Sequence, residues 1–467
     1  MASRPASLPE VVRSMNVLPR KSPNGTVADF VGELSLDDVP EPVLDQLLLA
    51  VLDLSGTAAA AVRTPMSVLV RDYCANAFPA GASRSRLLFD GRMCSVPGAA
   101  LANGTTLDSL DLSDGHNEAK GHAGAPAFAA LLAVADSMPE RVSGRDFLAA
   151  MVVAYEIGLR SGVALHRQLS EYHGSGTWAC IGVAAAAARL VREPVPVDHA
   201  LGIAEYNAPR APISRCTEYP TMVKDGLGWA SMVGVTALEM ARAGFTGAPA
   251  GVLHESGRDI WSDLGSRWYL LELYFRMWSA CRMAHPSIEA TVALVKKHRL
   301  RPGQIRTVEV VTFAEATKMA KAIPASIEEA QYSLPFSVSS SIVFNEIGIN
   351  QLSAEVFKDP EIQRIAGSVR LVADEEYSKL WPIRRVARVA ISLADGSTVT
   401  SEEHESKGDP RSAYPPATLR AKYDRATIPF LGEQRSAELA GHLLGLDRQE
   451  RIDGVLDSLL SPRVAQY

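Results

Sequence analysis

The chain is poor in the residues that mark most redox and metal proteins. Among 467 residues there are five cysteines, Cys74, Cys94, Cys180, Cys216 and Cys281, scattered and never in a CxxC pair. That excludes a disulfide framework or a zinc ribbon and reads as free thiols in a reducing compartment. No GxGxxG, P-loop, GxSxG or HExxH occurs, so neither a nucleotide cofactor nor a serine hydrolase is indicated. Basic charge is not in excess either. The formal net charge is −6, without a Lys/Arg block, the opposite of a nucleic-acid footprint. The N-terminal stretch MASRPASLPEVVRSMNVLPRKSPNG has no apolar core of signal-peptide length. The longest apolar runs, such as CIGVAAAAARLV, read as too short and too alanine-rich to span a bilayer. The expectation is a soluble, cytoplasmic protein with no nucleic-acid or membrane partner.

What the chain does have is aliphatic surface to bury: 47% of its residues are hydrophobic. Its length predicts two domains rather than one core. VLDQLLLAVLDLSGTAAAAV, APAFAALLAVADSM, GRDFLAAMVVAYEIGLRSGVAL, TWACIGVAAAAARLV and GWASMVGVTALEMARAG repeat apolar residues at helical spacing. Several are apolar nearly all round, as in the middle of a thick bundle. Asp146 is a candidate cap for the helix at 147–162, and Gly244 a candidate stop. Near residue 300 the texture changes. TVEVVTF, SVRLVAD and ARVAISL read as strands, and Asp395-Gly396 as a hairpin turn. VALVKKHRL and IPASIEEAQYSLPFSVSSSIVFNEI read as helical, and ATLRAKYDRAT, EQRSAELAGHLLGL and QERIDGVLDSLL return to helix. The fold class is mainly α with a smaller α/β domain. A large helical domain spans 1–275, an α/β lid domain spans 276–410, and helices at 411–467 return to the first domain.

Proton carriers crowd residues 111–124, DLSDGHNEAKGHAG, where Asp111, Asp114, His116 and His122 lie in a loop-like stretch. Such groups exchange protons near neutral pH, although capping aspartates and exposed histidines would give the same pattern. The spacing matches no standard metal-ligand pair. EYHGSGTWACIG puts His173 at a helix entrance, where free N–H groups attract anions. Lys224 stands among Met222, Val223, Leu227 and Trp229. There it is either desolvated, with a lowered pKa, or an exposed helix-entry lysine. Arg282 and His285 sit three apart where helical texture gives way to α/β, and EEAQYSLPFSV offers Tyr332. Domain junctions favour small-molecule sites.

Taken in order, AYEIGLR, the 111–124 loop, HGSGT, MVKDGLGWAS, CRMAHPSIEA, AQYSLPFSV and the GDPRSAYPP…KY tail resemble the MmgE/PrpD family over most of the chain. That family includes 2-methylcitrate dehydratase, cis-aconitate decarboxylase and iminodisuccinate epimerase. The resemblance implies a helical domain with an α/β lid, usually a homodimer, with no metal and no organic cofactor and with the site between the domains. Carried over by position, the catalytic residues are Asp111, His122, His173, Lys224, His285 and Tyr332. Arg282 is the expected carboxylate partner and His116 a further substrate-binding candidate. The loop departs from the lyase pattern: Ser113 replaces an acid, Gly115 a hydroxyl residue and Ala123 a proline.

The chemistry the resemblance implies is proton transfer at a carbon beside a carboxylate of a di- or polycarboxylate. Returning the proton to the other face epimerises, losing a β-group dehydrates, and losing CO2 decarboxylates. The departing loop leans the expectation toward epimerising an iminodisuccinate-like amino dicarboxylate. A lyase acting on a 2-methylcitrate- or cis-aconitate-like substrate is the alternative. An inactive homologue or small-molecule-binding protein is the third.

Overall fold

The structure, a computed structural model, describes residues 27–138, 142–191, 194–254 and 258–461. The N-terminal stretch read above for a signal sequence lies outside them.

Ten helices carry most of the argument. They are α1 (Glu41–Ala61), α2 (Val96–Asp108), α3 (Gly124–Ser137), α4 (Gly144–Gln168), α5 (Gly176–Val191), α6 (Leu227–Arg242), α7 (His285–His298), α8 (Leu334–Phe344), α9 (Pro416–Leu431) and α10 (Glu433–Leu444). The fold is mainly helical with a smaller α/β part, as the periodicities predict. α4 packs on α5, α6 packs on α2 and α5, and α3 lies against α2 and α5. The near absence of a polar face on α3 and α5 follows from this, since both are covered on all sides. α9 and α10 return to pack on α1, and Leu419, Tyr423, Leu439 and Leu443 join the same core as Leu47 and Val51.

Small residues set the spacing of the central helices. A Cβ on Gly182 of α5 would sit 2.5 Å from the Ala154 carbonyl and 2.7 Å from the Gly158 Cα of α4. Backbone cannot yield as a side-chain tip can. Gly182→Val is therefore expected to destabilise the fold by about 3 kcal/mol or more, read as a lower urea midpoint. An unchanged midpoint would show that the α4–α5 contact is slack.

Two readings need correction. Ser143, not Asp146, caps α4: the Ser143 hydroxyl accepts from the Asp146 N–H, and the Asp146 carboxylate accepts a hydrogen bond back from that hydroxyl. Two helices, α1 and α4, are long and apolar enough to cross a bilayer, contrary to the apolar-run reading. In α4, 94% of that apolar window is buried against other helices of this chain, so it is a core helix.

Two short strands, β1 (Gly115–His116) and β2 (Leu273–Tyr274), pair antiparallel and tie the 111–124 loop to the segment that leads into the second core. That core is built on a sheet of β3 (Ile305–Thr312), β4 (Val369–Ala373), β5 (Val386–Leu393), β6 (Thr398–Thr400) and β7 (His404–Glu405). β3 runs parallel to β4 and antiparallel to β5, which pairs with β6 and β7. Gly396, at φ +89°, makes the predicted turn between β5 and β6. α7 and α8 pack over the same core. The helical reading of 323–347 breaks in the middle. Ile327–Gln331 ends at Tyr332, and Ser333 caps α8 by accepting from the Phe336 N–H. The break leaves Tyr332 between two helices, where it lines the cleft described next.

Candidate active site

The cleft lies where the loop after α2, the segment before α6 and the residues after β2 converge. Asp111, His122, Tyr172, Asp225, Tyr274, Arg276, Cys281, Arg282, Tyr332 and Arg385 line it. In this structure the open space inside it is small, about 30 Å³.

The glycines of DLSDGHNEAKGHAG have a packing role. A Cβ on Gly115 would lie 2.4 Å from the Tyr274 hydroxyl and 2.9 Å from His122 Nδ1. The loop can thus fold His122 against Tyr274 only if residue 115 has no side chain. His122 Nδ1 then meets the Asp114 carbonyl. A carbonyl only accepts, so Nδ1 carries the proton and Nε2 keeps its lone pair, facing Asp225 Oδ2 at 3.6 Å. The His122 N–H donates to Ser175 Oγ at 2.8 Å. Burial, reinforced by the Arg276 charge, pushes the imidazole down to about 3, so it is neutral in this state.

HGSGT acts through its small residues rather than its histidine. A Cβ on Gly174 would approach Asp225 Oδ1 to 2.9 Å, and one on Gly176 the Asp225 carbonyl to 2.9 Å. The Gly176 N–H donates to that carbonyl at 2.8 Å. These contacts seat Asp225 beside His122. Burial and the neighbouring Asp108 and Asp111 raise the Asp225 carboxyl to about 7. Asp225 is thus an acid in the neutral range, its titration tied to those of Asp108 and Asp111. Asp111 is the opposite case. Burial would raise it, but Arg276 and Lys224 outweigh burial and hold it well below the usual carboxylate range. Arg276 pairs with Asp111 and donates from Nε to the Ser113 carbonyl at 2.7 Å.

Lys224 is buried, although Met222, Val223 and Trp229 around it are exposed. Its backbone is left-handed, at φ +40°. Nζ donates to Gln331 Oε1 at 2.6 Å and lies 5.9 Å from the centre of the Tyr332 ring. Burial first, then Cys216 and Asp111, raises the Tyr332 hydroxyl well above its usual value, so it remains a phenol. Arg282 stacks over Tyr274 at 4.4 Å and donates to Asp409 at 2.8 Å. Arg385 lies 5.9 Å from the same ring.

Of the residues read from sequence, the structure gathers Asp111, His122, Tyr332 and Arg282 in the cleft, with Lys224 just behind it. It does not bring the other three histidines in. His285 donates from Nε2 to the Ala280 carbonyl at 3.1 Å and accepts on Nδ1 from Arg282 at 3.2 Å. Both nitrogens are engaged, so it orients Arg282 and has no free base. His173 turns toward Glu171. His116 stacks on Tyr269, accepts from the Ala119 N–H and faces Glu272, away from the cleft. Asp225, Arg276 and Arg385 escaped the sequence reading. Asp225 stood next to Lys224 in a quoted motif. Arg276 stands in ELYFRMW and Arg385 beside Arg384 in WPIRRVARV, and neither stretch carries a motif that singles it out.

Among the described residues, Asp111, His122 and Asp225 each offer a ligand atom within 4.8 Å of the others. Sequence spacing could not show this, because Asp225 comes from a distant segment. Arg276 and Lys224 already act on these carboxylates, so a divalent cation there would face two fixed positive charges. Exhaustive dialysis against chelator is expected to leave turnover unchanged. Activity lost and then restored by zinc or iron would make the trio a metal site.

The chain belongs to the MmgE/PrpD family: residues 25–259 match its N-terminal domain and residues 278–444 its C-terminal domain. A cis-aconitate decarboxylase of Aspergillus terreus is 25% identical over 477 aligned positions, covering 93% of this chain and 95% of the relative. The cis-aconitate decarboxylase-like protein oryM of Aspergillus oryzae is 22% identical over 479 positions, covering 93% and 97%.

Proposed function

We propose that this protein is a cofactor-independent lyase that decarboxylates a tricarboxylate of the cis-aconitate kind. The observation that carries the reading is Asp225, a carboxyl that keeps its proton near neutrality, 3.6 Å from the unprotonated nitrogen of His122. Breaking the bond to a carboxylate on a CH2 arm beside a C=C releases CO2. The electron pair left behind spreads over the allylic carbons and into the next carboxylate, and the double bond shifts. The far allylic carbon then takes a proton. The reaction requires fixed cations for the spreading charge and one acid for that carbon. Arg282 and Arg385 supply the cations that meet substrate carboxylates, and Arg276 holds Asp111 ionised. Asp225 delivers the proton, with His122 placed to hold or pass it, and solvent restores it after release. The named relatives support this reading over epimerisation.

Epimerisation of an iminodisuccinate-like substrate is the second reading, favoured by the changes at Ser113, Gly115 and Ala123. It calls for proton carriers on opposite faces of one carbon. Asp225 and His122 stand together, and Lys224, the remaining carrier, is held by Gln331.

The test is a panel of C4 to C8 di- and polycarboxylates followed by mass spectrometry. Loss of 44 mass units from a tricarboxylate is the expected result. Loss of 18 units would indicate a dehydratase, and turnover with no mass change would favour the epimerase.

A further inference from the structure

We propose that Asn117 is a positioning residue that fixes the two substrate-facing arginines, Arg282 and Arg385, through one amide. The inference rests on the polycarboxylate reading above. Asn117 lies in the 111–124 loop and is buried. Its Oδ1 accepts from Arg385, and its Nδ2 donates to Asp409 Oδ1. The other oxygen of Asp409 accepts from Arg282 at 2.8 Å. Arg282 is held on its remaining side by His285, and Arg385 by the Pro382 carbonyl at 3.0 Å. The chain Arg385–Asn117–Asp409–Arg282 therefore joins the catalytic loop to both sides of the cleft mouth.

Two observations point this network at a ligand. Arg282 and Arg385 both line the cleft, and each keeps a buried Nε with no hydrogen-bond partner among the described residues. Both also lie over the Tyr274 ring. An unpartnered guanidinium N–H is a strong donor for a carboxylate. The distance between these two donors sets which pair of carboxylates can be held at once. That distance is governed by Asn117, whose amide oxygen accepts from the Arg385 guanidinium while its nitrogen donates to the Asp409 carboxylate.

The experiment compares Asn117→Ala and Asn117→Asp with the parent on the best substrate of the panel, over pH 5 to 8. Charged or titratable groups facing residue 117 are Arg385, Asp409, Arg411, Glu272 and its neighbours His116 and Glu118. In the alanine variant KM should rise about tenfold to a hundredfold, with kcat changed far less. The aspartate variant should match it at pH 8, where two carboxylates would face each other. Toward pH 5 its KM should recover, because a protonated Asp can again donate to Asp409; the alanine variant should not recover. A general packing role would not produce that difference. Unchanged KM in both variants, or an aspartate variant with no pH-dependent recovery, overturns the proposal. If the parent consumes no polycarboxylate, the functional reading itself falls and this inference falls with it.

Discussion

Asp225→Asn is expected to lower kcat by about a hundredfold to ten-thousandfold, the usual range for removing a positioned acid, while raising the melting temperature. The amide keeps the shape of the side chain and cannot ionise. The folded-state pKa of Asp225 is raised to about 7 from an ordinary 3.8. Its contribution to stability is therefore fully present below about pH 4 and is lost as pH rises to about 7. The gain in melting temperature from the amide should grow over that interval and stay constant above it. Parent kcat should fall as pH rises past 7, because the acid form disappears; residual activity of the variant should not follow that limb. Wild-type turnover in the variant would remove Asp225 from the chemistry. A lower melting temperature at pH 8 would show that the carboxylate is compensated in the fold.

Removing the Arg276 side chain should do the reverse. Arg276→Met leaves Asp111 buried without its partner, and breaking a buried ion pair on one side costs about 3–5 kcal/mol. It also frees the Ser113 carbonyl, which accepts from Arg276 Nε. Because Asp111 is held below its ordinary pKa, it stabilises the parent above about pH 4, and that contribution fades as pH falls. In the variant the same carboxyl becomes a liability near neutrality. The double variant Arg276→Met, Asp111→Asn should recover much of the lost stability, measured as the urea midpoint at pH 7. Equal stability of parent and single variant would mean that Arg276 does not compensate Asp111.

The helical body was readable because its period is written in long aliphatic stretches, and the sheet because ARVAISL and TVEVVTF are β-branched. The sequence left Lys224 either buried, on the strength of its apolar neighbours, or exposed at a helix entry; it is buried, although Val223 and Trp229 are themselves exposed. The histidines show the limit of reading chemistry from residue type. His122 has one free nitrogen because the Asp114 carbonyl takes the other, whereas His285 has none. Nothing in KGHAG or RMAHPS distinguishes them, since the deciding acceptors are backbone atoms placed by the fold. Asp225, Arg276 and Arg385 come from three separate segments. The pairing of β1 with β2 leads Arg276 to the cleft, the Gly174 and Gly176 contacts seat Asp225, and Asn117 holds Arg385.

The most direct test of a carboxyl acid that protonates an allylic carbanion is proton NMR of the purified protein with cis-aconitate in D2O. The account predicts disappearance of the substrate's vinyl signal, a new terminal methylene and a single solvent deuterium on the carbon that was the vinyl CH. All of these should be suppressed in Asp225→Asn. Deuterium entering a carbon beside a carboxylate with every substrate carbon retained, at a rate unaffected by that substitution, would contradict it.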